Sequence, residues 1–168
     1  PYGPQPVGRP ADWAHPFEAT IAKYGIPNLK EGYCLDDNSR ALTMALMAYQ
    51  QHKSQEALNL LPIYLSYIHY MQRDDGNFRN FLSFRREYLD DIGSEDSFGR
   101  TVWALGYLIH CAPNNSYREF AGELFFRSVP HFRQLTHLRG MANTMIGIAY
   151  YLKAHPDDEV LVEALTQL

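Results

Sequence analysis

The run Val102-Trp103-Ala104-Leu105-Gly106-Tyr107-Leu108-Ile109 carries no polar side chain for more than two helical turns. A helix that is apolar on every side has to be buried on every side, so this segment requires a shell of other elements around it. Two more segments resemble it: Ala41, Leu42, Met44, Ala45, Leu46, Met47 and Ala48, then Met141, Ala142, Met145, Ile146, Ile148 and Ala149. Helix-period segments with one polar face lie between them, marked by Arg118, Glu119, Glu123 and Arg127, and by Asp158, Glu159 and Glu163. Buried and half-exposed helices therefore alternate, and the expected fold is all-α: stacked antiparallel helical hairpins with an inner and an outer row.

The periodicity predicts six helices, over 38–51, 54–71, 97–111, 116–129, 138–154 and 158–166, and no convincing strand. Ser54 is placed to cap the second, Ser116 with Glu119 has capping-box spacing at the fourth, and Pro156 separates the last two. Pro62 falls inside the second pattern and predicts a kink or a later start. Residues 1–23, opened by a Pro- and Gly-rich stretch, read as an irregular arm or linker with a short helix from Asp12 to Lys23; Gly25-Ile26-Pro27-Asn28 turns the chain into a helical domain over 24–168. Three hairpins make an open arc, so the expectation is a partial (α/α) toroid, about three hairpins of a six-hairpin barrel. The uneven spacing of Arg40, Arg100 and Arg139, each opening an inner helix, excludes a fixed-period solenoid.

Composition narrows the function. The 168 residues suit one modest domain; a net charge of -4 without a basic run argues against nucleic acid, and no apolar stretch is long enough for a membrane span. Cys34 and Cys111 are too few for a disulfide framework, and no CxxC, zinc-helix histidine pair, glycine-rich phosphate loop or G-x-S-x-G elbow occurs. No cofactor or metal is expected, and a reducing cytoplasm is the default compartment. Of the histidines, His15 and His137 fall nearest the inner-helix mouths.

Two of those mouths share a pattern: Gly32-Tyr33-Cys34-Leu35-Asp36-Asp37-Asn38-Ser39-Arg40 and Gly93-Ser94-Glu95-Asp96-Ser97-Phe98-Gly99-Arg100. Each sets two acids where the helix dipole and free N–H groups favour negative charge, with an arginine one turn further in. Capping and i,i+4 pairing explain such acids without any ligand. Two near-copies, each richer in acids than a cap needs, also fit a polar site facing one shared hollow. The long insertion over 72–92 adds Asp75, Asn77 and Asn80 as polar groups, with Phe78, Phe81 and Phe84 as flat apolar faces, a mixture suited to a polyhydroxylated ligand. Alternatively, the phenylalanines pin the loop, and Arg79, Arg85 and Arg86 pair with Asp90, Asp91 and Glu95. Asp74-Asp75-Gly76 lacks the recurring oxygen ligands of an EF-hand.

Glu31-Gly32-Tyr33 through Leu42, Asp75 through Phe81, and Gly93 through Gly106 together resemble a bacterial family of (α/α)-toroid domains, akin in architecture to six-hairpin glycosidases. The resemblance covers about Tyr24 to Gly106. Such domains follow glycosyltransferases or stand beside mannoside-processing enzymes. It implies a carbohydrate context, with an oligosaccharide or glycan as ligand and a glycosyltransferase domain or the missing half of the barrel as protein partner. On the hydrolase expectation, Asp37 and Asp96 form the acid/base pair with Glu95 as alternate. Arg40 and Arg100 tune or orient them, Asp36, Asp75, Asn77 and Asn80 bind substrate, and Tyr33, Phe78 and Trp103 stack on sugar rings. The competing expectation is a non-catalytic, glycan-binding accessory module; a third is a protein-binding helical scaffold.

Overall fold

The computed structural model describes residues 32–168. The expected N-terminal arm with its short helix, the turn at Gly25, His15 and the start of the resemblance lie outside the described residues.

Short strand β1 (Tyr33–Cys34) leads directly into α1 (Leu35–His52), followed by α2 (Gln55–Met71), strand β2 (Phe81–Leu82), α3 (Glu95–Cys111), α4 (Asn115–Ser128), a 3₁₀ turn (Val129–Gln134), α5 (Leu138–Ala154) and α6 (Glu159–Gln167). The all-α expectation holds: the six helices among the described residues match those expected from periodicity. α1, α3 and α5 form an inner row, with α3 packed against both others. α2 lies on α1, α4 on α3 and α6 on α5, making the outer layer. Leu42, Leu46, Leu61, Ile68, Val102, Leu105, Leu108 and Phe125 fill the space between the layers.

The local signals act as follows. Ser54 accepts a hydrogen bond from the Ala57 N–H and caps α2. At α4, however, Asn114 is the cap, accepting from Tyr117 N, so the cap lies two residues before the Ser116 expected from its capping-box spacing. Asn is among the strongest N-caps, and its carbonyl reaches the N3 amide first. Pro62 does not delay α2, which runs through it as one helix. Only the Leu58 carbonyl loses a donor there, and the seven residues ahead of the proline sustain the first turns.

The inner helices differ in burial from the all-round burial expected of them. α3 has a neighbour on each side, but α1 and α5 end the row, each with one flank open. Met44 is 69% exposed on α1, with Met47 beside it; Leu138 is 85% exposed on α5, in line with Met145 and Ile146.

α3 and α5 approach closely because glycines face each other across the contact. A Cβ added to Gly99 would lie 2.3 Å from the Gly140 carbonyl oxygen, and one added to Gly106 would lie 2.1 Å from that of Gly147. α1 and α3 are joined near their starts by the Ser39–Thr101 hydroxyl hydrogen bond (2.9 Å) and near their ends by Gln50 Nε2 donating to Cys111 O (2.6 Å). The three inner helices therefore run parallel, with all their N-termini at one end.

The insertion is not a plain loop. Tyr33 pairs with Leu82 and Cys34 with Phe81 in an antiparallel register, and Leu82 bridges Tyr88 on its other side. These two-residue strands carry no periodicity of their own; the pairing arises because β1 enters α1 alongside the insertion. Further back, Gly76 holds φ +89° and presses on the Arg127 carbonyl, while Arg127, His131 and Gln72 donate to carbonyls over 73–76. Among the described residues no helix is long and apolar enough to cross a membrane.

Candidate functional site

The shared end of α1, α3 and α5 collects the acidic mouths. Asp36 lies in the first turn of α1, and its carboxylate is held by Arg40 of the same helix (2.7 Å) and by Arg100 Nε of α3 (2.5 Å). Asp96, in the first turn of α3, meets Arg139 Nε of α5 (2.8 Å) and Arg100 (3.7 Å), and accepts from Asn143 Nδ2 (3.2 Å). The result is a ladder, Arg40–Asp36–Arg100–Asp96–Arg139, with one rule at each step: the acid of one inner helix bonds the arginine of the next. Each carboxylate also lies near the positive end of its own helix.

Glu95 has a different role. Its carboxylate accepts from Thr136 N (2.8 Å), Thr136 Oγ1 (2.9 Å) and His137 N (2.7 Å), so it caps α5, whose N-cap residue His137 offers no side-chain cap of its own. Burial raises its pKa, but the donors from His137 and Thr136 outweigh that and hold it down at about 2. His137 Nδ1 lies 3.1 Å from the same carboxylate. The expected alternate acid is therefore an inter-helix clasp and stays ionised.

Asp37 turns inward beneath the ladder and is only 2% exposed. Burial, then the Asp36 charge, push its pKa up to about 6; Arg40, a hydrogen bond with the Cys34 thiol and Arg100 pull against the rise. Burial also pushes the Cys34 thiol up to about 11, so it remains a neutral donor rather than a nucleophile. A carboxyl group that titrates near neutrality at a helix mouth is the kind of group that can give or take a proton under physiological conditions.

The insertion contributes structure more than exposed chemistry. Asn80 is buried: its Oδ1 accepts from Asp36 N (3.2 Å) and the Cys34 thiol (3.5 Å), and its carbonyl accepts from Leu35 N (2.8 Å). It thereby fixes the start of α1. Asp90 accepts from Asn80 N and Phe81 N in turn. Phe78 is 1% exposed and packs on Phe98, and Tyr33 is buried between Tyr67 and Phe84, so neither ring offers a free face to a sugar. Trp103 is half-buried on α3. Asp75 pairs with Arg73 and accepts from Asn77 N, while Asn77 Oδ1 accepts from Phe78 N, closing a turn. The pairing expected between the insertion's arginines and acids differs too: Arg79 lies over the Tyr88 ring at 4.1 Å, and Asp91 offers its carbonyl to Arg73.

Of the expected residues, the structure thus brings Asp36, Asp37, Arg40, Asn80, Asp96 and Arg100 to one end, with Glu95 alongside. Asp75 and Asn77 lie apart, against α4. Sequence reasoning missed Arg139, Asn143 and Cys34 as members of the group; Arg139 was signalled only as the third arginine opening an inner helix. A surface hollow of about 410 Å³, lined by Pro156, Asp157, Glu159, Val162 and Glu163, contains none of the expected residues. Among the described residues no group of three His, Cys, Asp or Glu is arranged to hold a metal ion. The chain matches no family model and no curated protein.

Proposed function

We propose that this chain is a carbohydrate-active helical domain of the (α/α)-toroid kind, a partial ring that works on or binds oligosaccharides, mannosides among them, in the cytoplasm. What supports the reading is the gathering of Asp36, Asp37, Asp96, Arg40 and Arg100 at the shared end of the inner helices, with Asp37 buried beneath the ladder and its pKa raised by that burial. In a hydrolase reading the ladder opens on binding so that Asp37, which it covers, can donate its proton to the glycosidic oxygen, and Asp96, ion-paired at the next mouth, is the carboxylate that faces the developing positive charge.

The locking of Asp96 by two arginines and of Glu95 by the α5 cap favours a second reading, in which the domain grips a glycan without cleaving it and serves a glycosyltransferase partner. One experiment separates the two. Wild-type protein and Asp37→Asn are assayed for hydrolysis and phosphorolysis of manno- and gluco-oligosaccharides, with binding followed by calorimetry. A hydrolase shows turnover that Asp37→Asn reduces by about 100-fold or more while binding persists. Binding without turnover establishes the accessory reading, and absence of both removes the carbohydrate reading.

A further inference from the structure

On the reading just proposed, which makes Asp37 a working group, we infer that Asn80 is a positioning residue of the site: it caps α1 from outside that helix and sets the α1 acids against the α3 mouth. The residue that enters α1 cannot cap it, since Cys34 is extended (φ -123°, ψ 131°) and makes no side-chain cap hydrogen bond. The first N–H groups of a helix have no partner within it. Asn80 meets two of them: its carbonyl accepts from Leu35 N (2.8 Å) and its Oδ1 from Asp36 N (3.2 Å). Glu95 serves α5 in the same way, so two of the inner helices begin on a side chain lent by another element.

Asn80 is itself fixed. Its N–H donates to the Asp90 carboxylate (2.8 Å). Beside it lies Gly93, the residue before the Ser94 that caps α3; a Cβ added to Gly93 would lie 2.9 Å from Asn80 Cβ and 2.9 Å from Ser97 Oγ. One residue, 7% exposed, therefore touches both the start of α1 and the loop entering α3. Its Oδ1 also lies 3.5 Å from the Cys34 thiol, which hydrogen-bonds Asp37 as well. A thiol has one hydrogen, so Asn80 Oδ1 and the Asp37 carboxylate compete for it. The other charges that act on Asp37 are Asp36 and Arg40 on α1 and Arg100 on α3. Deleting the amide leaves the thiol to Asp37 and loosens the turn that buries it, and both changes favour the ionised carboxylate. A carboxylate in place of the amide keeps the cap but adds negative charge next to Asp37, which favours the neutral form. Opposite effects from two substitutions at one position separate positioning from a loss of stability.

The test is a carbon-detected NMR titration of the Asp37 carboxyl group in wild type, Asn80→Ala, Asn80→Asp and Asn114→Ala. Asn114 caps α4 beyond the far end of α3 and serves as the control for loss of a cap. The expected result is an Asp37 midpoint below that of wild type in Asn80→Ala, moved towards the ordinary 3.8, above it in Asn80→Asp, and unchanged in Asn114→Ala. Exchange of the Asp36 N–H in Asn80→Ala is expected to be at least about 10-fold faster than in wild type. Thermal melts verify that each variant is folded; should Asn80→Ala unfold, Asn80→Asp, which keeps the cap, carries the test alone. A midpoint equal to that of wild type in either folded Asn80 variant, or an equal displacement in Asn114→Ala, overturns the assignment. No sugar enters this titration, so absence of glycan binding and turnover removes the carbohydrate reading without touching the result for Asn80.

Discussion

The glycine contact between α3 and α5 makes a sharp prediction, because one substitution type should act with opposite signs at two places. In Gly106→Ala the new methyl would lie 2.1 Å from the Gly147 carbonyl oxygen and 2.7 Å from its carbonyl carbon. Relief needs the helices to part by more than an ångström, and the obstacle is backbone, which has no rotamer to swing aside. Overpacking a core costs about 1–3 kcal/mol, and a rigid backbone neighbour places this case at the upper end. Replacing glycine by alanine within a helix returns about 1 kcal/mol of propensity. The net expectation is a loss of about 2 kcal/mol, or a fall in Tm of roughly 4–10 °C for a domain of this size. Gly122 on α4 has nothing within 4 Å of its added Cβ, so Gly122→Ala keeps the propensity gain alone and should stabilise by up to about 1 kcal/mol. Urea unfolding followed by circular dichroism at 222 nm measures both. Gly106→Ala as stable as wild type would refute the close approach of α3 and α5.

Two further predictions concern the charged end. Glu95→Gln should remove an acid-sensitive part of stability: with the native pKa at about 2, below its ordinary value of 4.5, the carboxylate stabilises the fold above pH 4.5. That contribution fades as the pH falls towards 2, so wild type and Glu95→Gln should differ at neutral pH and converge near pH 2 in pH-resolved urea titrations. Arg100→Met takes the cation shared by both carboxylates from partly buried surroundings and should cost about 1–3 kcal/mol. Arg40→Ala removes an exposed pair and should change stability by less than about 1 kcal/mol; equal losses in the two variants would contradict the ladder as described.

The helices were legible in the sequence because their signals are local: apolar period, Ser54 as a cap, Pro156 as a break. The i,i+4 pairs Asp36–Arg40 and Asp96–Arg100 were legible for the same reason. Their cross-helix partners were not. Asp36 reaches Arg100 sixty-four residues later only because α1 and α3 lie parallel, a tertiary fact that neither mouth encodes. Glu95 looked like an acid with spare capacity until α5 brought up two N–H groups to occupy it. In the insertion, which phenylalanine points outward depends on a pairing register set by β1. Phe78 and Phe81 are alike in sequence and opposite in exposure.

The open flanks of α1 and α5 bear on self-assembly. A copy added α5-to-α1 along the row would bury Leu138, Met145 and Ile146 against Met44 and Met47, and on the partial-ring reading proposed above two such arcs would close on each other. Following the ladder's rule, an acid four residues ahead of Arg139 would have to bridge to the incoming Arg40, and that place holds Leu135. Arg40 and Arg139 would then meet holding only the carboxylates they already have, Asp36 and Asp96, with no third acid to bridge them. The same repeat that ties the three inner helices together thus stops one rung short at the α5 flank, and a seam formed there would lack the cross-helix ion pair of the other two steps.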